Sequence, residues 1–69
     1  MIHIKISTDG AAFTDAEGIR STFFKNMEVA RILKKLADQI EQNPDTDWNS
    51  ISLFDENGNF VGNYDAFED

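Results

Sequence analysis

Thirteen carboxylates, a single histidine (His3) and no cysteine bound the chemistry open to this 69-residue chain. Carboxylates in such number raise a divalent cation first. A calcium loop needs oxygen donors at about positions 1, 3 and 5, glycine at 6 for the sharp turn and glutamate at 12. Counted from Asp55, the donors are Asp55, Asn57 and Asn59, but Phe60 takes the glycine place and Ala66 the glutamate place. Counted from Asp45, the donors are Asp45, Asp47 and Asn49, and Glu56 closes the loop. Ser50 then replaces the glycine, and a strand pattern replaces the second helix. Neither frame is complete. The reading is no metal site, with residues 45–56 as the alternative.

Nucleophilic chemistry fares no better. Ser7, Ser21, Ser50 and Ser52 have no histidine close in sequence, and His3 could serve only one of them. The glycines are scattered at 10, 18, 58 and 62, so no phosphate-cradling loop forms. No catalytic residue, no cofactor and no enzymatic activity are therefore predicted.

The elements that position these residues are readable to different degrees. "MIHIKIS" alternates, with Ile2, Ile4 and Ile6 on one face and His3, Lys5 and Ser7 on the other, which predicts a half-buried strand. Asp9-Gly10 ends it. Residues 11–25 are the least legible, and Phe13, Ile19, Phe23 and Phe24 are expected to pin them to the core. Val29, Ile32, Leu33, Leu36, Ala37 and Ile40 make one apolar stripe of helical period. Asn26 is the expected N-cap, with Glu28 in the first turn, and Asn43-Pro44 the stop, for a helix of about 16 residues. "SISLF" and "NFVGNY" flank "DENGN", where Asn57-Gly58 predicts a hairpin with a type I′ turn. Gly62 suggests a bulge or a close contact with the helix.

These elements predict one small α+β domain spanning 1–69: an amphipathic helix on a three-stranded, mostly antiparallel sheet, in the order strand, helix, strand, strand. If the sheet is wholly antiparallel, the last strand lies in the middle. Alternation along the hairpin puts Ile51, Leu53 and Val61 toward the helix. Phe54 and Phe60, with Tyr64, then face outward as a candidate interface, to a partner or to a second copy of the chain.

Charge is unevenly placed. Residues 1–35 hold all six bases against four acids, a balance of +2, whereas residues 36–69 hold nine acids and no base. The whole chain carries −7. Such a balance argues against direct nucleic-acid binding and against an anionic membrane surface, and permits a basic protein partner. The acidic candidates are Asp38, Glu41, Asp45, Asp47, Asp55, Glu56, Asp65, Glu68 and Asp69. Arg31, Lys34 and Lys35 read as a solvated basic stripe. With no apolar leader and no spanning segment, the expected setting is the cytoplasm.

Three stretches, "IKISTDGAAF" at 4–13, "EVARILKKLADQIE" at 28–41 and "LFDENGNFVG" at 53–62, together resemble a group of small phage and prophage accessory proteins. The resemblance covers about half the chain. Gly10 stands where that pattern has asparagine, and the loop 14–25 and the acidic tail depart from it. The resemblance carries no catalytic role to any residue here. It implies a non-enzymatic phage product in a bacterial cytoplasm, of the anti-CRISPR or related anti-defence kind. Such an inhibitor would occupy a basic host protein or ribonucleoprotein complex by presenting carboxylates in place of phosphates. The alternative is a homodimeric structural or adaptor protein that uses the open sheet face.

Overall fold

The computed structural model describes residues 1–15 and 17–68. Three strands, β1 (Ile2–Ile6), β2 (Ser50–Phe54) and β3 (Phe60–Ala66), form a sheet in the order β1-β3-β2. β3 pairs antiparallel with both neighbours, so the last strand is central, as an all-antiparallel sheet requires. A single long helix, α1 (Thr22–Gln42), packs on it, and a 3-10 turn (Ala11–Phe13) follows β1.

Register decides the two faces. Ile2, Ile4 and Ile6 stand opposite Ala66, Tyr64 and Gly62, and Ile51 and Leu53 stand opposite Tyr64 and Gly62 from the other side. All of these share the helix-facing side. The core is Ala12, Phe13, Ile32, Leu36, Ile51, Leu53 and Tyr64, with Ile6, Val29, Ile40, Trp48, Val61 and Ala66 packed against it. Tyr64 is buried, not outward-facing. The predicted outward position fails because pairing shifts between Leu53, opposite Gly62, and Phe54, opposite Phe60. That shift leaves Val61 as the extra residue of a bulge and reverses the alternation. Gly62 is needed here, but for β1: a Cβ on it would collide with the Lys5 carbonyl, and the helix is not the close neighbour.

The helix begins at Thr22, five residues before the start that an Asn26 N-cap predicts. Ser21 is the extended N-cap residue, and Lys25 N–H donates to the Ser21 carbonyl at 2.9 Å. Asn26 thus lies inside the helix and Glu28 beyond its first turn. The 21 residues span about 31 Å. At the other end Asn43 N–H bonds Ile40 O at 3.3 Å and Trp48 Nε1 donates to the Asn43 carbonyl at 3.3 Å, before Pro44 can continue the helix. Ile32 and Leu36 of the stripe are buried, while Leu33 and Ala37 are exposed. The helix lies toward β2, with Lys35 and Gln39 beside that strand.

Residues 11–25 are built from local hydrogen bonds. Asp15 Oδ1 accepts from the N–H groups of Glu17 and Ile19 at 2.9 Å each, and Gly18 N–H bonds Asp15 O at 3.0 Å with φ at 79°. Thr14 and Arg20 form one antiparallel bridge. The β2–β3 turn repeats this design. Asp55 Oδ1 accepts from Asn57 and Asn59 N–H at 2.9 Å, and Gly58, at φ 82°, bonds Asp55 O at 3.0 Å. The hairpin is therefore present, but its turn is not type I′: Asn57 has negative φ, and only Gly58 occupies the left-handed region. Of the four side chains expected to pin 11–25, Phe13 alone is buried; Ile19, Phe23 and Phe24 are exposed.

Candidate functional site

The antiparallel sheet and the helix direction gather acids at one end. β1 starts there, beside the end of β3, with Ile2 opposite Ala66. β2 starts there too, with Ser50 opposite Asp65. The contact between Trp48 and Asn43 ties the helix C-terminus to the same end. Asp38 and Glu41 on the last turns of α1, Asp45 and Asp47 on the connector and Glu68 after β3 are all exposed. Asp65 is half-buried and accepts a hydrogen bond from Ser50 Oγ at 3.1 Å. Six carboxylates from the helix, the connector, β3 and its tail thus share one pole. No base follows Lys35 in the chain. The C-terminal end of the helix adds its partial negative charge, and no basic residue in the last turn offsets it. Asp69 lies outside the described residues.

Two of the candidate acids are elsewhere. Asp55 and Glu56 occupy the β2–β3 turn at the opposite end of β2. Asp55 is 5% exposed and spends its carboxylate on the turn, including a 3.4 Å contact from Asn59 Nδ2. It is a structural acceptor and not part of a docking surface. Glu56 is exposed, but its N–H is held by Glu28 Oε2 at 2.8 Å. Glu28 is itself buried and takes two bonds from Arg31, at 2.7 and 3.0 Å. The Arg31 hydrogen bonds hold the Glu28 carboxyl below its ordinary value; burial opposes them and the Glu56 N–H assists. Arg31 is raised in turn, chiefly by Glu28. Arg31 is therefore committed to this bolt between helix and hairpin, whereas Lys34 and Lys35 are exposed.

The outer face of the sheet carries His3, Lys5, Ser50, Ser52, Asn63 and Asp65, all polar. Its large apolar features among the described residues include the exposed pair Phe54 and Phe60 at the turn end, with ring centroids 6.1 Å apart, and Phe67 at the other end, edge-on to His3 at 5.3 Å. A second aromatic surface escaped the sequence reading. Phe23 (65% exposed) packs edge to face on Phe24 at 5.3 Å, and Met27 is exposed one turn later. The signal was the i, i+4 spacing of Phe23 and Met27, which is visible only once the helix is extended back to Thr22.

Among the described residues, no group of three or more His, Asp or Glu side chains could hold a metal ion, and no helix is long and apolar enough to cross a membrane. The segment 45–56 runs into strand β2 instead of entering a second helix. No family model, no curated protein and no solved structure matches the chain.

Proposed function

We propose that this chain is a non-enzymatic binding protein whose acidic pole docks on a basic, nucleic-acid-binding surface of a host protein or ribonucleoprotein complex. The observation that carries this reading is the convergence of Asp38, Glu41, Asp45, Asp47, Asp65 and Glu68 at one end, where the basic groups brought by β1 are His3, opposite Asp65, and the Met1 ammonium, bonded to the Phe67 carbonyl. Carboxylates spaced along a rigid helix end and a strand end can take the places of phosphates in a basic groove. The resemblance of its three motifs to phage accessory proteins supplies the target class, a CRISPR-type effector or related defence complex in a bacterial cytoplasm.

Asp38, Glu41, Asp45 and Asp47 are exposed and make no hydrogen bond that supports the fold, so they can be reversed together. The quadruple variant Asp38→Lys, Glu41→Lys, Asp45→Lys, Asp47→Lys should keep the native circular dichroism spectrum. Its affinity for the target complex should fall by at least about 100-fold, since each lost charge contact contributes on the order of 1 kcal/mol. Wild-type binding should weaken steeply between low and physiological salt. Salt-independent binding, or full inhibition by the folded quadruple variant, would exclude charge mimicry. Asp55 is unsuitable for this test, because its replacement removes the turn's own acceptor.

A further inference from the structure

The two edges of the sheet are not equivalent. The open edge of β2 borders the flank of α1, where Lys35 and Gln39 lie beside Ser50, Ser52 and Phe54, and Arg31 Nη2 lies 3.4 Å from the Phe54 carbonyl. β1 is the other edge strand, and no described strand pairs with its outer side. Met1 and Phe67 exchange two backbone bonds of 2.7 Å, and Ser7 N–H donates to Val61 O at 2.7 Å. In an antiparallel ladder this makes the odd-numbered residues of β1 bond β3. The N–H and C=O groups of Ile2, Ile4 and Ile6 therefore point to the open edge. The same residues place their side chains on the helix-facing side, yet Ile2 is 57% and Ile4 45% exposed. One strand thus combines an unpaired backbone edge with an uncovered apolar row. Edges of this kind template pairing unless they are blunted.

We propose that a second copy of this chain occupies this edge, β1 pairing antiparallel with its counterpart about a two-fold axis at Ile4, to give one continuous sheet across two protomers. "IHIKI" reads nearly the same in both directions, which suits a self-complementary, isologous contact. The axis at Ile4 sets Ile4 on Ile4 and Ile2 on Ile6, and engages all three open residues of each copy. An axis at Lys5 would stack two ammonium groups, and an axis at His3 would leave the open groups of Ile6 unused. On the outer face the favoured register places Lys5 of one copy beside His3 of the other. Asp65 stands next to that histidine, about 10 Å or two strand spacings away and within reach of the lysine side chain. Because the strands run oppositely, the acidic pole of one protomer lies beside the Lys5 end of its partner, and the two poles lie far apart. This arrangement answers the repulsion expected between two chains of net charge −7. It leaves Asp38, Glu41, Asp45 and Asp47, which are not on β1 or β3, exposed and stands independently of what they bind.

Sedimentation of the whole chain from about 10 μM to about 500 μM should give twice the 7.8 kDa chain mass, with dissociation at the low end. Ile4→Pro deletes only an N–H on the open edge, so it should give a monomer with the helical spectrum retained. Should that variant fail to fold, thiol pairing decides, because the chain has no cysteine. Ile4→Cys should oxidise to a covalent dimer, since directly paired Cα atoms about 5.5 Å apart lie within disulfide reach. Ile2→Cys should not, because its own copies are about 13 Å apart along the strands. A wild-type monomer over the whole range, a persistent dimer of folded Ile4→Pro, or equal cross-linking of both cysteine variants would overturn the proposal.

Discussion

Glu28 shows how one side chain can tie separate elements. It is buried, receives Arg31 from its own helix and holds the Glu56 N–H of the hairpin turn. Its carboxyl is depressed in the folded state, so the charged form is favoured by folding. The stability it contributes is present above the unfolded carboxylate range, near pH 4.5, and is lost as pH falls through the lower folded value. Glu28→Gln should lower stability at pH 7 by about 1–3 kcal/mol, the usual range for a charged hydrogen bond whose partners remain. Part of the Arg31 contribution is screened, since that side chain is 37% exposed. Melting temperatures measured from pH 7 to pH 3 should fall less steeply in Glu28→Gln than in the wild type. Parallel curves would remove Glu28 from the acid response. The exposed Arg20–Asp9 pair, at 3.2 Å, is a poor candidate for such a role.

At the scale of elements, the aromatic residues before the helix separate into two kinds. Phe13, on the 3-10 turn, is 2% exposed and fills the space beneath α1. Phe23, on the first turn of α1, is 65% exposed. Phe13→Ala should cost about 3–5 kcal/mol, the range for truncating a buried aromatic, and in so small a domain should leave little folded protein. Phe23→Ser should change stability by no more than about 0.5 kcal/mol. Urea denaturation, with Trp48 as the reporter, checks both. A similar cost for the two variants would contradict the packing described for residues 11–25. These elements were legible to different extents. The period of Ile32, Leu36 and Ile40 identifies the helix, and Ser21, a favoured N-cap type, was a usable mark of its N-terminus even though its side chain makes no capping bond. The D-x-x-G spacing of Asp15–Gly18 matches that of Asp55–Gly58 and was a usable sign of the first turn.

For the whole molecule, charge placement sets the proposed docking against stability. Glu41 lies in the last turn of α1, where the helix end is already negative and no base compensates. Reversing it should therefore stabilise the fold. Glu41→Lys is expected to gain about 0.3–1 kcal/mol, seen as a higher melting temperature in low salt, while weakening binding through the acidic pole. A drop in melting temperature would show that Glu41 has a structural partner after all. The gathering of six carboxylates at one pole would favour oriented encounter with the proposed basic partner, and salt should suppress it.

Local pattern determined the element types and their order, because periodicity and turn chemistry depend only on neighbours along the chain; the central place of β3 followed only if the sheet was wholly antiparallel, which long-range pairing decided. It also determined the acidity of residues 36–69. What lies inside and what lies outside was decided by tertiary structure. The bulge at Phe54 turned Tyr64 inward, the seat of α1 toward β2 left Ile2 and Ile4 uncovered, and the turn drew Asp55 into its own hydrogen bonds. Each of these outcomes depends on how one element sits against another. A bulge of one residue or a sideways shift of a helix alters which groups meet water without altering the sequence periodicity that predicts the elements.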